Sequence, residues 1–389
     1  MRERWEIKTL GEVLQKTSTV DPRQDPEAKF EYIDVSSVSN STFQIEETQR
    51  LKGKDAPSRA RRLVRANDVL FATVRPTLQR IAVVPEPLDG QVCSTGYIVL
   101  RPKAEIDYRF MFYSLFTEDF VGQMESLQKG ASYPAVTDSE VKSQRIPVPP
   151  LPEQQRIVGI LDEAFEGIAT AKANAEKNLQ NARGLFESHL QSVFTQGGEG
   201  WVEKRLGDVC ELHQGLCINA KTKHLLVEKS SLPLLRIKDL RENSVEQYVA
   251  ESGWPENARV TESEIIYTRT GQIGLVFRGR VGVLHNNCFK VRPSAALNEG
   301  YLFWWLQNPG FRARITVLAS KAAQPDITHS LFKAQPIMVP PRAYQDQAIA
   351  LIEDAHHKTQ RLASLYQRKR TALDELKKSL LHQAFSGQL

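Results

Sequence analysis

Two long stretches of this chain contain no interior proline, and they limit what it can fold into. Residues 151–194 have no proline after Pro152, and Gly159, Gly167 and Gly184 stand alone among Ala, Glu, Gln, Leu and Lys. Those residue types favour helix. Pro152 suits a first helical turn, and Glu153 lies at the positive end of the helix dipole. Leu161, Ala164, Ile168, Ala171 and Ala175 recur at 3-4-3-4 spacing, and Ala182, Leu185, His189 and Val193 continue the stripe after an apparent break in phase. This is a coiled-coil seam whose phase break reads as a stutter. A helix of roughly 44 residues is about 65 Å long and cannot bury such a stripe against itself.

The partner lies 191 residues further on. Ile146 to Pro150 fall on Ile337 to Pro341, Gln154 on Gln345 and Phe194 on Phe385. The stripe then falls on Ile352, Ala355, Thr359, Leu362, Tyr366, Leu373, Leu376, Leu380 and Ala384. The two rods are expected to pair, either antiparallel or side by side. The repeat extends beyond them. Trp5 to Val13 matches Trp201 to Val209 at an offset of 196, and Arg101-Pro102 meets Arg292-Pro293 at 191. The chain is therefore two copies of one plan, a globular part followed by a rod.

Within the first globular part, residues 32–38, 68–76, 80–84 and 97–100 read as strands, punctuated by Pro and Gly. Residues 107–123, with Phe110, Tyr113, Leu115, Phe116 and Phe120, read as one core helix. A loop at 129–134, a short helix and a closing strand at 146–148 follow. The second part repeats this order, with strands at 234–237, 264–271 and 274–277, an aromatic helix at 301–306 and a loop at 320–325. Framework positions agree between the halves and loop positions differ, as expected of two domains that bind related but unequal targets.

The net charge of +5 on 389 residues permits a polyanionic partner without requiring one. Cys93, Cys210, Cys217 and Cys288 are scattered and form no C-x-x-C pair, so buried free thiols are expected. The absence of long apolar runs and of an apolar N-terminal segment suggests a cytoplasmic protein with no membrane partner. There is no P-loop, G-x-G-x-x-G, H-E-x-x-H or G-x-S-x-G, and Asn308-Pro309 continues with Gly310, unlike an adenine-methyltransferase motif. Two unlike copies of a domain without such motifs suggest a reader, with no catalytic residue and no metal site in this chain.

Basic and amide-bearing loops suit that role. Arg59, Arg61, Arg62 and Arg65 fall within seven residues, and Arg75, Gln79 and Arg80 follow. Lys129, Ser132 and Tyr133 occupy the first loop before the closing strand. The second half offers Arg269, Thr270, Gln272, Arg278 and Arg280, with Lys321 and Gln324 in the corresponding loop. Arginine can fork onto guanine and glutamine onto adenine, while lysine and arginine also hold phosphates.

These features together resemble the specificity subunit of type I restriction–modification enzymes. The resemblance rests on Trp5 to Val13 and its copy, on Val69 to Thr77, on Cys93 to Pro102, on Arg269 to Gly274, and above all on the Pro147 to Val158 lead-in to the first rod. Arg342 to Gln347 is a degenerate second copy of that lead-in. The resemblance implies an α+β fold: two similar globular mixed α/β target recognition domains separated by two long helices packed as an antiparallel coiled coil. The implied boundaries are residues 1–150, 151–196, 197–340 and 341–389. It further implies double-stranded DNA as ligand, two modification methyltransferase subunits as partners, and restriction subunits in some assemblies. S-adenosylmethionine, and ATP with Mg where a restriction subunit is present, would be bound by those partners. The rival reading is a coiled-coil scaffold that binds only proteins.

Overall fold

The computed structural model describes residues 5–130, 132–320 and 325–389. The chain forms two compact units, one of Met1–Ala175 with Gln367–Leu389 and one of Glu176–Tyr366. Each unit thus holds one globular head together with a segment of each long helix.

In the first unit the opening strand Glu6–Thr9 pairs antiparallel with the closing strand Arg145–Val148. Thr9 caps the short helix Leu10–Val13, and Glu12 returns to the Thr9 backbone, a capping box that fastens the chain as it enters the head. A four-stranded sheet runs in the order Gln49–Lys52, Lys29–Ile33, Val92–Ser94, Ala60–Leu63. A three-stranded antiparallel sheet runs Ile81–Val83, Val69–Ala72, Tyr97–Leu100. Leu10, Phe71, Ile98, Met111 and Phe120 fill the space between sheet and helices.

Two elements differ from expectation. The strand expected at 32–38 ends at Ile33, because the Asp34 amide donates to Ser37 Oγ and Val35–Ser37 coils into a 3-10 turn. The single helix expected at 107–123 is two helices, Tyr108–Ser114 and Glu118–Leu127. Thr117 stops the first and caps the second, its hydroxyl donating to the Ser114 carbonyl while accepting from the Phe120 amide.

The second unit repeats the plan. Val202–Arg205 pairs antiparallel with Pro336–Val339, and a four-stranded antiparallel sheet runs Cys210–Gln214, Cys288–Pro293, Ile265–Thr268, Val276–Phe277. Helix Glu299–Leu306 is buried from Tyr301 onward, as its aromatic content requires. The strand expected at 234–237 is shorter, Leu234–Leu235, because Asp239 accepts from the Arg236 amide and starts helix Ile237–Glu242. The loop expected at 320–325 falls mostly on residues 321–324, outside those described.

Two buried polar devices occur once in each head. Gln154 donates to the carbonyls of Glu105 (3.0 Å) and Pro149 (2.8 Å) and accepts from the Asp107 amide (2.9 Å). Gln345 does the same with Ala296 (3.0 Å), Pro340 (2.9 Å) and Asn298 (2.6 Å). This explains why the glutamine persists in the degenerate second lead-in: it satisfies the start of each long helix and the loop before each aromatic helix at once. The other device is an acid at the head of the central strand. Arg101 forks onto Asp68 at 2.8 and 2.7 Å, and Arg292 meets Glu264 at 2.8 Å, joined there by Lys290 at 2.9 Å.

The long helices span Leu151–Thr195 and Arg342–Phe385. Within the first unit the start of one lies against the end of the other. Arg156 donates to the Leu389 carbonyl, Lys172 meets Asp374 at 2.5 Å, and the Lys377 ammonium sits over the Phe43 and Phe165 rings at 5.1 and 5.0 Å. Burial pushes the Lys377 ammonium pKa down. Within the second unit Tyr344 donates to the Val193 carbonyl, and the Phe186 and His356 rings lie 5.2 Å apart. The pairing in each unit is antiparallel.

The first seam departs from a strict heptad, as expected. Leu179 is buried four residues after Ala175, and Ala182, Phe186, Leu190 and Val193 follow at steps of 3, 4, 4 and 3, so four-residue steps run together and Leu185 is left exposed. On the second helix Ala363 and Lys377 take the inward places expected of Leu362 and Leu376, which are exposed. No described helix is long and apolar enough to cross a membrane. Cys93, Cys210 and Cys288 are buried, and burial pushes their thiols up to about 12; Cys217 is exposed, contrary to expectation.

Candidate nucleic-acid interface

The nominated residues Arg75 and Gln79 of the first head and the loop that follows Gln128 meet at the end of its central strand. In the first head Val69–Ala72 runs out at Thr73, where the Val136 amide donates to the Thr73 carbonyl at 2.9 Å. The Arg75 amide then donates to the Pro134 carbonyl at 2.7 Å, and Lys129 and Ala135 exchange backbone hydrogen bonds at 2.9 Å. Residues 129–135 are thereby clasped along residues 73–75. Gly130 is required in this clasp: its φ is +105°, and a Cβ there would meet the Tyr133 carbonyl oxygen at 2.9 Å.

Arg75 and Gln79 flank the 3-10 turn Pro76–Leu78, and both are non-glycine residues in the left-handed region, with φ of 50° and 51°. Each costs of order 1 kcal/mol or more, a strain that persists where surrounding contacts enforce it and that clusters at functional sites. The Arg75 guanidinium lies over the Tyr133 ring at 5.2 Å, with Nη2 3.5 Å from the Ser132 carbonyl. Arg75, Ser132, Tyr133 and Lys129 are exposed, Tyr133 at 72%, and Gln79 is half-buried. Lys129 reaches Glu140 at 3.2 Å but stays largely in solvent.

The other arginines of this head divide into free and engaged. Arg59 is exposed, and its side chain makes no ion pair or hydrogen bond among the described residues; the same holds for Arg65. Arg61 holds Asp21, whose carboxyl pKa it lowers by hydrogen bonding. Arg62 forks onto Asp138 at 2.6 and 3.1 Å, tying its strand to the helix that follows the loop. Arg80 donates to the Val38 and Ser36 carbonyls.

The second head builds the same clasp from different side chains. The Ile327 amide donates to the Arg269 carbonyl at 3.0 Å, and Thr270 bridges Asp326, at the offsets that relate Thr73 to Arg269 and Val136 to Ile327. Here the clasp carries its own ion pair. Arg269 forks onto Asp326 at 2.9 and 2.5 Å and donates to Gln214 Oε1 at 3.1 Å, while the Thr270 hydroxyl donates to Asp326 at 2.8 Å. Hydrogen bonding from Arg269 first, and then from Thr270, holds the Asp326 carboxyl below the usual carboxylate range. Gly271, with φ of +81°, occupies the place of Arg75, and a Cβ there would meet nothing within 4 Å. Gln272 is exposed. Arg278 lies over Phe303 at 4.3 Å and pairs with Glu353 at 3.1 Å, and Arg280 reaches the Gly279 and Leu240 carbonyls. Lys321 and Gln324 lie outside the described residues.

Each head therefore fastens the end of its central strand to the segment before its last short helix by the same backbone contact, with polar side chains around it suited to contacting a groove or a phosphate backbone. The model for the type I restriction modification DNA specificity domain matches residues 2–180 and again residues 198–367. The chain belongs to that family. It is 27% identical over 188 residues to the HindI specificity subunit of Haemophilus influenzae, covering 47% of this chain and 40% of that protein. It is 25% identical over 185 residues to the MjaIX specificity subunit of Methanocaldococcus jannaschii, covering 44% and 42%. The matched region thus spans about two fifths of the length of these two relatives. Among solved structures, the HsdS subunit from Thermoanaerobacter tengcongensis is 27% identical with a TM-score of 0.67, covering 100% of this chain and 98% of that one. A chain from a structure of type I R-M system assembly and conformational transition is 26% identical with a TM-score of 0.90, covering 100% and 99%.

Sequence reasoning nominated the loop cations but not the residues that engage them. Asp326 and Gln214, which hold Arg269, and Asp138, which holds Arg62, were not nominated. Asp326 carried a visible signal: an acid stands in sequence where the first head has Ala135. Leu78, 42% exposed in the strained turn beside Arg75, carried none.

Proposed function

We propose that this chain is a sequence-specific DNA-reading subunit of a type I restriction–modification complex. Each head reads one half of a bipartite duplex target, and the assembly places adenine-N6 methyltransferase subunits on that target. The covalent chemistry belongs to the partners: two modification subunits that bind S-adenosylmethionine, and restriction subunits with ATP and Mg where these are present. The contacts to DNA come from the clasped loops, with Arg59, Arg75, Gln79, Lys129, Ser132 and Tyr133 in the first head and Gln272, Lys321 and Gln324 in the second. Arg62, Arg80, Arg269, Thr270 and Arg278 act mainly by fixing loop shape. The connecting helices, residues 151–196 and 341–389, set the number of base pairs between half-sites. The complex works in the cytoplasm.

The observation that carries this reading is the repeated clasp. Thr73 with Val136 and Arg269 with Ile327 make the same backbone contact, yet the side chains displayed around it differ. A constant frame with altered tips is what two unlike half-sites require. The test is binding of the chain, assembled with its modification partners, to duplex DNA across a range of salt. Phosphate contacts release counterions, so log affinity should fall linearly with log salt for cognate duplex. Binding to partner proteins with no salt-dependent duplex binding would instead identify a protein-only scaffold.

A further inference from the structure

We propose that Arg75, braced by Tyr133, reads a guanine in the half-site of the first head, and that the second head reads its half-site without an arginine at this place. This rests on the DNA-reading function proposed above and assigns a base class to one position in it.

Four observations converge. Arg75 is in the left-handed region, at one end of a turn whose other end, Gln79, is equally strained, so the fold holds the backbone there in a conformation an arginine does not favour by itself. The Arg75 amide is fixed to the Pro134 carbonyl. Its guanidinium rests on the exposed Tyr133 ring, beside the Ser132 carbonyl, and meets no carboxylate among the described residues. The cation is therefore oriented but not neutralised. A guanidinium over a ring, with Nη2 spent on no more than a 3.5 Å contact to a carbonyl, keeps further N–H donors available, and two of them can match O6 and N7 of guanine in the major groove. Bracing also removes rotamer freedom before binding, so less is lost when the contact forms.

The fourth observation is that the second head lacks both members of the pair. Gly271 has the place and the left-handed backbone of Arg75, and in sequence register Gln324 stands opposite Tyr133, just as Pro325 stands opposite Pro134. Arg269, two residues earlier, is consumed by Asp326 and Gln214. Cation and aromatic are present together or absent together, as expected if they act as one unit.

The test uses the full chain with its modification partners, and reads methylation rates on duplexes altered one base pair at a time. Arg75→Gly keeps the left-handed backbone and copies the second head, so folding is preserved and a thermal melt verifies it. The expected result is loss of discrimination at a single G·C position, by roughly 5- to 150-fold, in the half-site that changes when residues 1–150 are exchanged. Tyr133→Phe should keep that discrimination. Tyr133→Ala should raise KM for cognate DNA with the order of base preference intact. The proposal is overturned if Arg75→Gly leaves every position unchanged, weakens all duplexes equally, or relaxes an A·T position. A Tyr133→Phe variant as impaired as Tyr133→Ala would also overturn the bracing role. If exchanging residues 1–150 leaves both half-sites unchanged, the DNA-reading function itself fails. If that exchange succeeds while Arg75→Gly has no effect, only the guanine assignment fails.

Discussion

At the clasp the first head has Thr73, Arg75 and Ala135 where the second has Arg269, Gly271 and Asp326, and these three differences change where the cation sits around one shared backbone contact. Without an acid, Arg75 stays unpaired over Tyr133; with one, Arg269 is pulled in and locked. Beneath the clasp the contrast runs the other way. The Asp68–Arg101 pair of the first head is almost fully buried, whereas Glu264 of the second shares its charge between buried Lys290 and half-exposed Arg292. The frame of each head and the charge it displays are thus set by different residues. Duplication can keep the first and vary the second.

The largest effect expected from this contrast concerns stability. Asp68→Ala strands the Arg101 charge inside the first head and should cost about 3–5 kcal/mol in chemical denaturation. Glu264→Ala should cost less, because Lys290 retains the Arg259 carbonyl and Arg292 can reach solvent. Equal losses would mean the two pairs are equivalent despite their burial.

Next comes the clasp. Arg269→Ala removes the fork from a partly buried carboxylate and should destabilise the second head by roughly 1–3 kcal/mol, with DNA binding reduced alike on all sequences. By contrast, Arg75→Gly should leave the melting temperature unchanged or slightly raised, since it relieves a left-handed arginine. A stability loss at Arg75 matching that at Arg269 would erase the distinction between a displayed and a locked cation.

The heads should also differ in acid. The folded-state pKa of Asp326 is depressed, so its contribution to stability is fully present above its unfolded value of about 3.9 and is lost as pH falls through the folded value. Amide exchange at Thr270 and Ile327 should accelerate on acidification in that window, whereas exchange at Arg75 and Val136, where Ala135 replaces the acid, should not follow it. Asp326→Asn should abolish the difference. The smallest effect is that of Arg59→Ala, which should lower the salt slope of duplex binding by about 1 without altering base preference.

Much of the fold was legible in sequence because its signals are local and were written twice. The rods showed through composition and heptad spacing, and the strands through β-branched runs closed by Pro or Gly. The errors lie where one polar side chain overrides a pattern. Thr117 splits an aromatic stretch that has helical spacing throughout, and Asp34 ends a strand that its apolar content would continue. The phase break after Ala175 was legible, but Leu179, the buried residue that carries it, was passed over, and Leu185 was placed inward where the structure turns it outward. The interface was half legible. Loop cations can be recognised by type, but whether one is free depends on a carboxylate far away in sequence, as Arg62 with Asp138 and Arg269 with Asp326 show.

The measurement that bears most directly on the two-reader account is genome-wide mapping of methylated adenines in cells carrying this chain, its modification partners, and a version whose residues 1–150 come from a relative of different specificity. The account predicts that one half of the recognised sequence changes while the other half is retained. Methylation of the original sites, or simultaneous change of both halves, would contradict it.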